Sequence, residues 1–207
     1  MNSPVYLETA RLVLRNFNEA DLNTLVDYRS HPLCAQYQRG QFKDRENLSR
    51  LIARTKTDDP FSIGQSRLAI ARKDTEEIIG DLFVGISKNT AALGYTISYR
   101  YHRQGFAYEL LSAFLPALQC RFPNYDIICC TDTENTASIS LLLKLGFIKE
   151  GYRKEIDSLI FRLNALFLSV RRTRFFLAFT VAMYHRLCPT ISKPFFFKRF
   201  IHFQYLL

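Results

Sequence analysis

With 207 residues, 48% of them hydrophobic and 23% charged, the chain is long enough for one ordinary domain to bury most of the surface its unfolded form exposes. No stretch reaches the roughly 18 consecutive apolar residues that a membrane-spanning helix needs, so none is predicted. The net charge of +9 is concentrated at one end: from Asn164 onward stand Arg171, Arg172, Arg174, Arg186, Lys193, Lys198 and Arg199 with no Asp or Glu, which leaves 21 basic against 19 acidic residues before them and excludes charge as a sign that the body binds nucleic acid.

Met1-Asn2-Ser3-Pro4 has neither the basic nor the apolar region of an export signal, and the cytoplasm is the expected location. The five cysteines, Cys34, Cys120, Cys129, Cys130 and Cys188, show no paired metal-site spacing and no disulfide density, so reduced thiols and no metal are expected. Cys129 and Cys130 are adjacent in a β-like run and should point to opposite faces of a sheet.

In chain order, Arg11 to Arg15 (RLVLR) alternates as a short strand, and Asn18 is placed to cap a helix on which Leu22, Leu25 and Val26 recur at helical spacing. Residues 31–64 are polar, with a helix expected around Asn47 to Ala53, and form the candidate lid on the acceptor side. Arg67 to Arg72, Glu77 to Gly85 and Leu93 to Tyr99 then read as an antiparallel meander. Ala107, Leu110, Leu111, Phe114, Leu115 and Leu118 give one buried helix face, which Pro116 is expected to kink or shorten. Asp126 to Thr131 is a buried strand, Thr136 to Leu145 a helix closed by Gly146 at the left-handed position after its end, and Phe147 to Lys149 and Ile156 to Leu163 supply the last strands. The expected order is β, α, α, β, β, β, α, β, α, β, β.

Chemistry concentrates in two places. From Tyr95 to Ala107 (YTISYRYHRQGFA) a strand passes through a short turn into a helix. Such a turn presents unpaired amides and the positive end of a helix dipole, a site for a diphosphate. There Gly105 permits close backbone approach, Ala107 leaves room and Arg103 can add a charge-assisted contact. Neither a GxxxxGK[ST] loop nor a GxGxxG turn after the first strand is present, which excludes the common nucleotide-binding loops. The second place is Glu134 to Phe147 (ENTASISLLLKLGF).

HRQGFA at 102–107, followed by ENxxS and KLGF, resembles the GNAT superfamily of N-acetyltransferases, and LETARLVLR at the start resembles its RimJ/RimL-type branch. The resemblance covers about residues 5–164. It implies an α/β fold: a mixed, mostly antiparallel sheet splayed at a cofactor site, with flanking helices. Acetyl-CoA is the implied co-substrate. Tyr95, Thr96 and Ile97 would pair with its pantetheine amides, Arg103, Gln104, Gly105, Phe106, Ala107 and Tyr108 would hold its pyrophosphate, and Asn135 would bond its arm. The implied reaction is direct attack by a primary amine, of a small molecule or a protein N-terminus, in a ternary complex. Where many members of the family place a tyrosine acid this chain has Leu142, and Ser138 is the replacement candidate. Asp81, inside an apolar strand, is the candidate base if it faces the cleft; Cys130 stands where some members carry a glutamate. A non-catalytic acetyl-CoA-binding or adaptor module on the same fold is the alternative. His102 and Glu109 are expected to be structural.

The expected division is 1–164 for the acetyltransferase domain and 165–207 for a basic, aromatic-rich C-terminal extension. For the extension, contact with an anionic membrane surface, stacking on single-stranded nucleic acid and a terminal segment without a role all stay open. A monomer and a homodimer are equally compatible with the sequence.

Overall fold

The computed structural model describes residues 4–38 and 40–163. The expectations for the extension, including Cys188, lie outside the described residues.

Among the described residues, eight strands form one sheet in the order β1-β2-β3-β4-β5-β6-β8-β7. The opening hairpin is β1 (Val5–Glu8) and β2 (Leu12–Arg15). Its first strand was not legible: of its four residues only Leu7 is buried, too few for a periodic signal. Asn18 and Asp21 close a reciprocal cap around a 3₁₀ turn, Glu19–Asp21, which leads into α1 (Leu22–Ser30). The cap therefore lies one short turn ahead of the expected helix. After a single-turn α2 (Pro32–Ala35), the expected lid helix is α3 (Arg45–Arg54), begun by the Asp44 side chain accepting from the Asn47 amide.

The antiparallel meander is present as β3 (Gly64–Arg72), β4 (Ile78–Ser87) and β5 (Thr90–Ile97). Alternation along β3 assigns its two faces. Leu68 and Ile70 join one apolar cluster with α4 (Phe106–Arg121) and α5 (Thr136–Leu145). Ala69 and Ala71 join the other, with Leu25, Tyr28, Leu48 and Ile52 of α1 and α3. Pro116 does not interrupt α4, which continues to Arg121. The missing amide leaves only the Ser112 carbonyl without its donor, and Ser112 is exposed, so water can satisfy it.

β5 and β6 (Asp126–Thr131) are the parallel pair in the sheet, and α4 is the crossover that a parallel connection requires. Gly146, with φ 94°, ends α5 as expected. The sheet closes with β7 (Ile148–Arg153) and β8 (Ser158–Leu163), joined by a 3₁₀ turn. Cys129 is buried and Cys130 exposed, on opposite faces as the alternation required. Among the described residues Cys34, Cys129 and Cys130 are free thiols, as expected. No helix among the described residues is long and apolar enough to cross a membrane.

Candidate active site

The site begins where two strands part. β5 and β6 pair from Thr90 with Asp126 to Leu93 with Cys129 and no further. Each strand nevertheless continues, β5 held by β4 through Ile97 and β6 held by β8 through Thr131. The wedge between them is a cleft of about 250 Å³ lined by Leu93, Gly94, Tyr95 and Thr96 on one side and Cys129, Cys130 and Thr131 on the other. The Ser98 amide donates to Ile79 of β4, so alternation turns the main-chain groups of Tyr95 and Ile97 toward the opening. His102 Nε2 donates to the Ile97 carbonyl at 2.9 Å, which makes this histidine a clasp on the strand end.

The turn beyond β5 has left-handed residues at Arg103, φ 63°, and Gly105, φ 80°. Gly105 is the residue before α4 and contributes no side-chain cap. The amides of Phe106, Ala107 and Tyr108 thus have no partner within the helix. Tyr108 packs on the core, with the Lys144 ammonium 4.4 Å from its ring centroid.

Asn135 and Ser138 enter the same cleft from the start of α5. Asn135 Oδ1 accepts from the Ser138 amide at 3.0 Å and caps the helix, which leaves its Nδ2 to donate to a ligand. Ser138 Oγ and Tyr95 Oη are 2.9 Å apart. Burial pushes the Tyr95 phenol far above its ordinary value, against a smaller opposing effect of Ser138, so it stays protonated. Cys130 also lines the cleft; desolvation raises its thiol and keeps it from acting as a base.

A second cavity, of about 370 Å³, is lined among others by Phe42, Leu48, Leu51, Asp58 and Phe83. Gln41 and Arg67 line both cavities and mark the passage between them.

The Acetyltransferase (GNAT) domain family matches residues 11–148, the span that contains the splayed strands, the turn and the start of α5. The chain belongs to the GNAT acetyltransferase family. Two bacterial relatives are the uncharacterized N-acetyltransferase YoaA of Bacillus subtilis, 30% identical over 154 residues (72% of this chain, 86% of the relative), and p20 of Bacillus licheniformis, 29% identical over 156 residues (73% and 86%). A solved GNAT acetyltransferase from Bacillus anthracis shares the fold with a TM-score of 0.67 at 18% identity, covering 77% of this chain and 98% of that one. So does the ribosomal-protein-S5-alanine acetyltransferase of Vibrio fischeri, with a TM-score of 0.63 at 16% identity over 75% and 94%. This GNAT protein is an N-acetyltransferase.

Of the residues singled out from sequence, Tyr95, Thr96, Asn135 and Ser138 meet in one cleft of the GNAT fold, with Ile97 at the end of the same strand. Arg103, Gln104, Gly105, Phe106, Ala107 and Tyr108 form the turn and first residues of α4.

Asp81 requires correction, because it does not face the cleft. It is 0% exposed, and its carboxylate accepts from Tyr28 Oη at 2.8 Å, Arg29 Nη2 at 2.6 Å and Arg67 Nη1 at 2.7 Å. Burial alone would push this carboxyl up, yet the Arg29 and Arg67 guanidiniums hold it below the usual carboxylate value. A buried, doubly paired carboxylate of lowered basicity is a poor proton acceptor.

Arg11 was missed. Its Nη2 donates to the Gln104 carbonyl at 3.2 Å, its guanidinium lies 4.2 Å from the Phe106 ring centroid, and Glu109 accepts from both its main-chain amide and Nε. The β1–β2 hairpin thereby braces the turn that precedes α4. The partners are 98 residues apart, and no local spacing points from one to the other.

Proposed function

We propose that this protein transfers the acetyl group of acetyl-CoA to a primary amine by direct attack in a ternary complex, in the manner of the RimJ/RimL-type branch. The observation that carries the reading is the parting of β5 from β6 after Leu93 and Cys129, with Asn135 and Ser138 at the rim. A free strand edge suits the two pantetheine amides, and the Arg103 to Tyr108 turn suits a diphosphate. When bound, acetyl-CoA supplies the activated acetyl thioester. The left-handed turn leaves main-chain amides for its phosphates, Arg103 and Arg11 add positive charge there, and Asn135 Nδ2 is the donor left for its arm.

The amine nitrogen forms the new C–N bond as the C–S bond breaks; of the two protons the ammonium loses, one goes to solvent and one ends on sulfur. In this reading Ser138 Oγ donates to the departing sulfur, and its hydrogen bond with the protonated Tyr95 hydroxyl, 2.9 Å long, supports the assignment. With Asp81 engaged elsewhere, Asp58 is the carboxylate that lines the acceptor cavity and the candidate base; burial raises its carboxyl above the ordinary value, against the smaller opposing effects of the Arg67 amide and the Arg54 and Arg67 guanidiniums.

A thiol-release assay over a panel of amines, with Ser138→Ala and Tyr95→Phe beside the native protein, tests the reading. Each variant should lower kcat with little change in KM, and the double variant should lose little more than either, because the two hydroxyls act as one unit. Absence of acetyl-CoA binding by calorimetry would overturn it.

A further inference from the structure

Arg29 and Arg67 share the single carboxylate of Asp81. The Arg29–Asp81 pair is complete by itself, with Nε and Nη2 of the arginine both on the carboxylate and both side chains sealed from solvent. Arg67 gives Asp81 one nitrogen only, and its side chain keeps 19% exposure. Asp58, which lies near Arg54 as well, accepts from the Arg67 main-chain amide and leaves the Arg67 guanidinium donors free.

Arg67 gives Nη1 to Asp81, and its guanidinium carbon lies 5.3 Å from the Phe83 ring centroid. Its Nε and Nη2 donate to no group among the described residues. Guanidinium groups this well held, with donors left over at a passage, fit a carboxylate or phosphate.

Gln41, the other residue common to both cavities, has the opposite deficiency. Its Oε1 is buried with no hydrogen-bond partner, while its Nε2 donates to Gln38. An orphaned amide oxygen is satisfied by an N–H donor, and leaving it unmade is costly. The two residues that line both cavities thus present one unfilled acceptor and one set of unfilled, charged donors. An amine and an anion carried on the same small molecule would fill both.

We infer that the acceptor is a free amino acid or a close analogue: a primary amine with a carboxylate or phosphate one or two carbons away, its amine on Gln41, its anion on Arg67 and its body in the 370 Å³ cavity. Phe42, Leu48, Leu51 and Phe83 give that cavity an apolar lining, and its volume is that of a small-molecule site. A protein N-terminus satisfies Gln41 but brings no carboxylate to Arg67. The inference rests on the acetyltransferase reading above, and the transfer it involves is the one written there.

The test uses the full chain, acetyl-CoA, the common L-amino acids, phosphoethanolamine, and for each its neutral counterpart: the carboxamide, the decarboxylated amine or ethanolamine. Peptides with blocked C-termini form a further arm. The best acceptor should carry an anion and should exceed its neutral counterpart roughly ten- to hundredfold in kcat/KM, the worth of one charge-assisted pair. Comparing the carboxylate and phosphate arms identifies the anion. Arg67→Gln should bring the pair close to parity by depressing the anionic member, and Arg67→Lys should restore part of the preference. Because Arg67→Gln leaves the Arg29–Asp81 pair intact, its thermal transition reports whether the fold is kept; if that variant does not fold, Arg67→Lys and the native preference decide. Equal rates for anionic and neutral members, preference for blocked peptides, or no free amino acid or phosphoethanolamine acetylated by a protein that binds acetyl-CoA would each overturn the inference. Acetylation of neutral amines alone would leave the acetyltransferase reading standing, whereas no acetyl-CoA binding would remove both.

Discussion

Replacement of Gly105 by valine separates what the turn does for the fold from what it does for a ligand. Gly105 has φ 80° and ψ 3°, and a Cβ built there meets only the Arg11 Nη2, at 3.8 Å, an ordinary contact. The fold therefore resists a side chain through backbone conformation alone, which for an L-residue in the left-handed region costs about 1–2 kcal/mol, with a β-branched residue at the upper end. In a domain of this size that lowers the Tm by roughly 2–8 °C. Binding should suffer more. The valine methyls stand where a diphosphate would approach the amides of Phe106 and Ala107, and losing two charge-assisted bonds at about 1.5–3 kcal/mol each weakens acetyl-CoA by about a hundredfold or more. Gly105→Ala, with the same strain and less bulk, should fall between. Calorimetric titration with acetyl-CoA and scanning calorimetry on the same samples measure the two effects. A Gly105→Val protein that melts in the expected range and binds acetyl-CoA with unchanged affinity would refute the placement of the pyrophosphate.

Asn135→Ala should both lower stability by about 1 kcal/mol, through the lost cap, and weaken acetyl-CoA binding. Asn135→Asp keeps an oxygen for the Ser138 amide and loses only the donor, so it should weaken binding with stability retained; denaturant melts beside titrations distinguish them. Asp81→Asn leaves two guanidiniums unneutralised and should destabilise by about 3–5 kcal/mol. Because the folded Asp81 carboxyl is held below its ordinary value, its contribution is present above about pH 4 and is lost as pH falls through the folded value. Urea melts from pH 7 to pH 3 should show native and Asp81→Asn stabilities converging at the acid end, and a constant gap would contradict the linkage. A chain ended after Asn164 should unfold cooperatively with a Tm raised by acetyl-CoA, since β8 completes the sheet at Leu163; an insoluble product would count against residues 1–164 as a self-sufficient domain.

The meander was legible because β3, β4 and β5 each bury alternate or continuous apolar residues between short polar turns. Asn135 and Ser138 were legible through the ENxxS resemblance; that Asn135 also caps α5 by accepting from the Ser138 amide is a finding of the structure. Asp81 was not legible. Its strand is buried on both faces, so periodicity does not say which face it joins, and the groups that decide its state, Tyr28, Arg29 and Arg67, lie 53, 52 and 14 residues away. The same distance in sequence hid the brace of Arg11 on the turn before α4. Ionic partners chosen by tertiary contact leave no local signature, whereas caps and left-handed glycines are local by construction.

The position of the cleft follows from one topological fact. A parallel pair forces the chain leaving β5 to cross through α4 and return along β6, so both strands run in the same direction and both feed a helix at the same end. The starts of α4, at Phe106, and of α5, at Thr136, therefore face the same side, each with amides that no helical partner takes. Between antiparallel neighbours the two helix starts would fall at opposite edges of the sheet. Parting β5 from β6 at that end converts two separate helix termini into the two walls of one groove, with a free strand edge as its floor. Tyr37 lines the cleft as well, and its hydroxyl donates to the Glu134 carbonyl at 3.3 Å just ahead of α5. Gln38 and Gln41 of the same loop line this cleft together with Asn135 and Ser138, so in the reading proposed above the loop that meets the amine is anchored beside the start of α5. If the acceptor binds at Gln41 as inferred above, the Tyr37 contact acts chiefly on the acceptor loop: Tyr37→Phe should raise KM for the amine more than for acetyl-CoA, and an equal rise in both would overturn that assignment.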